Sequence, residues 1–134
     1  MPQTPTLDAR LRRFFAAFAP DAESGDPDGF GALFADPFLV ADEGGARPVP
    51  RAAFLAALPR RAQLFAEAGL GPATLTDLTY QRLDDRYVLA RTDWDAPRVD
   101  AGPPVRLASS YLLHDDGDRL RVVLYLNHQG LPAA

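Results

Sequence analysis

Asp42 is the carboxylate most suited to acid–base work. It closes the apolar run Phe38-Leu39-Val40-Ala41 and precedes the glycine pair Gly44-Gly45. Inside an apolar pocket its pKa would rise, and it would serve as a general base or acid. Left at the turn, the same carboxylate would bond the backbone just before the glycines. Other reactive side chains are sparse. His114 and His128 fit neither a triad nor a metal motif, since zinc needs three or four ligands, so no metal is expected. A Ser-His-Asp arrangement from Ser109 or Ser110 lacks the glycines of a nucleophile elbow. The chain contains no Cys and no Lys, all 14 of its cationic side chains being Arg. That excludes a disulfide, a thiolate nucleophile, a Schiff base and a phosphate-binding P-loop.

Composition narrows the partners. A net charge of −4 over 134 residues argues against nucleic acid, whose phosphates need a clustered basic surface. No apolar run approaches the roughly 20 residues of a membrane span, so no membrane partner is expected and a cytoplasmic protein is. No cofactor motif is present. The apolar share of 47% suits one domain over residues 1–134, with 1–6 as a frayed tail. The charges Arg60, Arg61, Asp84, Asp85 and Arg86 read as solvated surface.

The elements that would position Asp42 follow from periodicity. Thr6 can cap a helix from about Leu7 to Ala19, with Leu7, Leu11, Phe14, Phe15 and Phe18 on one face. Asp26-Pro27 starts a second helix, which places Phe30, Leu33 and Phe34 on one side and ends at Pro37. Phe38-Leu39-Val40 reads as a short buried strand. A third helical region spans Pro50–Ala68, either kinked or divided at Pro59. The period then becomes alternating, with strands near Thr74–Leu83, Arg86–Ala96, Val105–His114 and Leu120–Asn127. Asp115-Asp116-Gly117-Asp118 marks a hairpin between the last two. The fold class is therefore α+β, with three N-terminal helices on one face of a mostly antiparallel sheet.

In this order of elements, and in GDPDGFGALFAD at Gly25–Asp36 followed by FLVAD at Phe38–Asp42, the chain resembles the NTF2-like superfamily. Within it, the nearest branch is the ketosteroid isomerase and SnoaL-like one. The resemblance implies a cone in which a curved sheet wraps helices around a blind apolar pocket, and a homodimer formed through the sheet. The isomerases use a carboxylate base, a tyrosine donor and a protonated aspartate donor. The base maps onto Asp42, the tyrosine onto Phe14 and the aspartate near Ser109. Without those two donors an enolate oxygen would lack its stabilisation, so steroid isomerisation is not expected.

Alternation places Val88, Ala90, Thr92 and Trp94 inward, because the opposite set carries charges. Trp94 then either walls a pocket or fills the core. Ser109, Tyr111 and Leu113 share one face, and the resemblance turns Val123, Tyr125 and Asn127 inward. That leaves Leu120, Val122, Leu124 and Leu126 on the outer, dimer-forming side. The expected substrate-binding wall is Phe14, Phe18, Thr92, Trp94, Ser109, Tyr111, Tyr125 and Asn127. Two functions remain open. One is an isomerase, lyase or cyclase acting through Asp42 on a small apolar molecule. The other is a non-catalytic ligand-binding or dimerisation module.

Overall fold

The computed structural model describes residues 5–18, 31–71, 73–100 and 102–129. Helix α1 covers Leu7–Ala16. It opens on Thr6, whose Oγ1 accepts the Ala9 N–H at 3.1 Å and satisfies one free donor of the first turn. Leu11, Phe14 and Phe15 form its buried face. The helix stops short of the predicted Ala19, and Phe18 lies in the turn that follows it. Phe18 still joins the same aromatic cluster, its ring centroid 5.4 Å from Phe14 and 5.3 Å from Phe15.

The first part of the predicted middle helix, residues 26–30, lies outside the described residues. Its predicted end is corrected. Strand β1 already begins at Phe34 and runs through Pro37 to Asp42. The ladder to the neighbouring strand breaks register between Phe34 and Leu39, so Pro37 sits where it disrupts no regular pairing. Strand β2, Gly45–Val49, pairs antiparallel with β1 and has no counterpart in the sequence reading. It is an exposed edge strand of mixed pattern that tolerates Pro48, so it carries little alternation to detect. The turn into it needs Gly45, whose φ is 120°.

Helix α2, Arg51–Glu67, is a single helix that passes through Pro59. Pro50 offers no side-chain cap; instead the Asp36 carboxylate, from β1, accepts the Arg51 N–H at 3.0 Å. No α2 residue is fully buried, yet Phe54 packs its ring 4.8 Å from Phe34 and 5.1 Å from Phe38. Strands β3 (Thr74–Arg82), β4 (Tyr87–Ala96), β5 (Val105–Asp115) and β6 (Leu120–Gln129) form the antiparallel meander. The six-stranded sheet has the order β2-β1-β6-β5-β4-β3, with β1 parallel to β6. The core lies between the inner face of the sheet and the two helices, around Leu11, Phe15, Phe34, Phe38, Val88, Leu113 and Val122.

One correction concerns the last strand. Leu113 pairs with Val122 but Leu112 pairs with Leu124, so Val123 is an extra residue, a β-bulge. The bulge shifts the alternation by one. Leu120 and Val122 are buried, 6% and 0% exposed, and they share the inner face with Tyr125. Val123 does not join that core, contrary to the strict alternation assumed from sequence.

The hairpin between β5 and β6 also holds a buried ion. Asp115 is 3% exposed, and its two carboxylate oxygens take a bidentate pair of 2.9 Å bonds from Arg10 of α1. Arg82 of β3 adds a third at 3.1 Å, and the Gly117 N–H a fourth at 2.9 Å. The Arg10 guanidinium holds this carboxyl well below its ordinary value against the opposing effect of burial, with Gly117 and Arg82 adding to it.

Removing one partner of such a cluster leaves the others uncompensated. Asp115→Asn is therefore expected to cost about 3 kcal/mol, read as a fall in the urea midpoint at neutral pH. The folded-state value lies below the unfolded one. The Asp115 contribution is thus complete above pH 3.8, the unperturbed value, and is lost as the pH falls below it. The gap in stability between the two proteins should accordingly narrow on acidification. A gap that stays constant down to about pH 2 would contradict this account.

Candidate functional site

The register of the ladders decides which side chains meet. Ala90 pairs with Tyr111, Thr92 with Ser109, Trp94 with Leu107, Tyr111 with Tyr125 and Ser109 with Asn127. Residues paired across a ladder share a face, so Thr92, Trp94, Ser109, Tyr111, Tyr125 and Asn127 all lie on the inner face. Thr92 is 0% exposed, Ser109 5% and Tyr111 3%, while Trp94, Tyr125 and Asn127 are half-buried.

Their polar atoms form a chain. The indole Nε1 of Trp94 donates to Thr92 Oγ1 at 2.8 Å. Thr92 Oγ1 lies 2.9 Å from Ser109 Oγ, and Ser109 Oγ in turn donates to the Tyr111 hydroxyl at 3.3 Å. A buried hydroxyl without a partner would be costly; among the described residues every one has a neighbour. Burial first, and then the adjacent Tyr125, push the Tyr111 phenol above its ordinary value. It therefore stays neutral and keeps its own proton, having accepted a bond from Ser109. The ring of Tyr125 stands edge-on to it, with centroids 5.1 Å apart.

Tyr125 brings a residue that the sequence reading had assigned to the surface. Arg61 of α2 donates to the Tyr125 hydroxyl at 3.4 Å, and its guanidinium carbon lies 5.9 Å from the Phe65 ring centroid. Desolvation would by itself lower the guanidinium pKa, but the tyrosine oxygens of Tyr125 and Tyr111 outweigh it and raise the value. Arg61 is nonetheless an exposed residue by surface area. Its guanidinium thus sits against the Phe65 and Tyr125 rings at the solvent-facing margin of the inner face. A sequence signal existed: Arg61 falls three residues after Leu58 and four before Phe65, on the apolar side of the helix.

Phe14 and Phe18 both belong to the aromatic cluster at the end of α1, but it is Phe15 and Phe18 that touch the site. Their centroids lie 5.0 and 5.7 Å from Tyr111. Phe14 is 6% exposed and packs on those two rings. Spacing alone does not single out Phe15, because Phe14, Phe15 and Phe18 share one helix face.

Asp42 stands apart from this group. It shares the face of Phe38 and Val40, and Val40 neighbours Tyr125, but β1 ends there. Its Oδ1 accepts the Gly44 N–H at 2.8 Å, and Oδ2 lies 3.6 Å from Arg47, with the side chain 45% exposed. This is the geometry of a turn acid. On the outer face, Ser110 Oγ lies 2.7 Å from His128 Nε2. No acid orients that imidazole among the described residues, so the pair is not a triad. His114 is half-buried against the edge of Tyr87 at 5.2 Å. Where β1 departs from β6, a separate cleft of about 220 Å3 is bordered by Phe34, Asp36, Arg51, His114 and Arg121. Among the described residues, no group of three or more His, Cys, Asp or Glu converges to hold a metal. No described helix is long and apolar enough to cross a membrane.

A family model described as NTF2-like protein (DUF6841) matches residues 8–130. No curated protein matches the sequence significantly. Among solved structures, an NTF2-like protein with a cystatin-like fold from Novosphingobium aromaticivorans superposes with a TM-score of 0.65 at 21% identity, over 93% of this chain and 82% of that one. The protein Aln2 from a Streptomyces species gives 0.67 at 16% identity, over 96% and 94%. An NTF-2-like protein of unknown function from Shewanella oneidensis gives 0.63 at 16%, over 89% and 93%. At these identities the likeness is one of fold.

The hydroxyl chain makes Thr92 its central member. Thr92→Val preserves shape but leaves the Trp94 N–H and Ser109 hydroxyl without their partner, so a loss of about 1–3 kcal/mol is expected in urea denaturation. Trp94 is the sole tryptophan, so its emission should change in the folded variant. Unchanged stability and emission would mean the chain is not formed in solution.

Proposed function

Since the chain belongs to the NTF2-like family, we propose that it binds a small, largely apolar molecule bearing an oxygen acceptor against the inner face of its sheet. The reading rests on the paired phenols. Tyr111 accepts from Ser109 and Tyr125 accepts from Arg61, so each phenol keeps a proton to donate. Two neighbouring donors beside the Phe15 and Phe18 rings suit a carbonyl or carboxyl oxygen on an apolar body. Trp94, half-buried with its N–H already engaged, adds apolar surface.

Binding is the form of this reading that the geometry favours. Catalysis by isomerisation, elimination or cyclisation would require Asp42 to exchange Gly44 and Arg47 for a substrate proton. One observation keeps that second form: the inner-face parity that Asp42 shares with Val40, beside Tyr125.

The outer face supports the homodimer. Leu39, Leu124, Leu112 and Leu89 are successive partners across β1, β6, β5 and β4. Leu39 and Leu89 are 40% and 41% exposed. A second copy of the sheet is the surface such an apolar row suits.

Two experiments test these readings. In NMR titrations with small aryl ketones, shifts should cluster at Thr92, Ser109, Tyr111 and Tyr125. Tyr111→Phe should weaken binding by about 1 kcal/mol, roughly fivefold. Asp42→Asn should leave binding unchanged; if it abolishes a turnover that the native protein performs, the catalytic form is the right one. Shifts scattered away from those residues would sink the pocket. For the dimer, Leu124→Arg is expected to give a monomer in sedimentation, and an unaltered mass would remove this interface.

A further inference from the structure

We propose that the ligand of the inner face is an anion, an apolar body ending in a carboxylate, and that Arg61 is its charge partner. This rests on the pocket reading above and adds the charge of the molecule. Among the described residues no carboxylate lies within ion-pair distance of Arg61, whereas Arg10, Arg82 and Arg47 have acids at 2.9, 3.1 and 3.6 Å. Arginines on the open surface need no such partner, because water solvates them. Arg61 is different. Although the residue keeps access to solvent, its guanidinium lies close to the rings of Phe65 and Tyr125, at 5.9 and 6.0 Å from their centroids, and the rings take the place of part of its water shell.

A charge in that position is compensated by hydrogen bonds or by an opposite charge. Among the described residues its one side-chain bond is to the Tyr125 hydroxyl at 3.4 Å, which is long for a charged donor. A guanidinium has five N–H donors in a planar fork, and this fork matches the two oxygens of a carboxylate. The phenol protons of Tyr125 and Tyr111 supply further donors on the same face. Arg61, Tyr111 and Tyr125 thus all present protons to this corner, and one of the three is a full positive charge. A neutral ketone or amide would occupy the phenols but leave the cation uncompensated.

The geometry also favours a monoanion over a phosphate. Arg47 shares the inner-face parity through its pairing with Val40, but it is already engaged by Asp42 at 3.6 Å. One free guanidinium balances one negative charge. The aromatic surfaces of Phe15, Phe18 and Phe65 complement an apolar body and offer nothing to a second charged group.

The test uses matched pairs in which only the charge differs: benzoate and benzamide, 2-naphthoate and 2-naphthamide, octanoate and octanamide. Affinities are measured by NMR titration on the full chain. In at least one pair the acid is expected to bind about tenfold more tightly than its amide, as a charged hydrogen bond would give. Arg61→Gln should remove that preference, the acid losing about tenfold in affinity relative to its amide, and Arg61→Lys should restore part of it. Equal affinities within every pair would overturn the charge inference and leave the pocket reading standing. An acid preference that survives Arg61→Gln would overturn the assignment to Arg61. No binding by any of the six compounds would overturn the pocket reading along with it.

Discussion

The buried carboxylate of Asp115, gripped by Arg10 from α1 and Arg82 from β3, is the constraint around which the rest of the molecule is arranged. An ion taken from water is tolerable only with full compensation, and this one receives four hydrogen bonds, the last from Gly117. Those bonds reach from the β5–β6 hairpin to the first helix and to the far edge of the sheet. They leave α1 little choice of position. With α1 so placed, Leu11 and Phe15 seal the inner face against Val88 and Leu113, all of them almost fully buried.

At the other end of the sheet the packing is looser. Helix α2 buries none of its residues completely, although Phe54 is anchored on Phe34 and Phe38. Here the inner face changes character from aliphatic to hydroxyl-bearing, through Thr92, Ser109, Tyr111 and Tyr125. The Val123 bulge makes this division possible. On the near side of the bulge Leu120 and Val122 point into the core. Beyond it Tyr125 takes the inward position, and Leu124 joins the outer leucine row. A single extra residue thus lets one strand supply core, site and outer face.

The chemistry that results differs from the isomerase pattern that the spacing of Asp42 suggests. That pattern needs a carboxylate facing a pair of donors. This chain has the donors, but they come from strands as Tyr111 and Tyr125, and the carboxylate is tied down at a turn by Gly44 and Arg47. In place of a base, the donors have a cation beside them, Arg61. Two phenols and a guanidinium on one face make a set of donors, which is the ground for proposing an anionic ligand.

The α+β class, the strand meander and the Thr6 cap were legible in the sequence, because each depends on local spacing and on the side chain of the residue itself. The inner set Thr92, Trp94, Ser109 and Tyr111 was legible for the same reason, since alternation holds wherever a strand is regular. What escaped were features with partners far away in the chain. Strand β2 has meaning only as a neighbour of β1. The Val123 bulge exists only relative to the register of β5. Asp115 looks like one more turn acid until Arg10, 105 residues away, is placed beside it. Arg61 and Asp42 show the same limit from opposite sides. Sequence spacing assigns a residue to a face, but whether that face is solvated, paired or enclosed is decided by the elements that fold over it. The sequence by itself determined most of the elements and most of their faces. Only the tertiary structure decided which charge is buried, which is bound at a turn, and which lies beside the phenols.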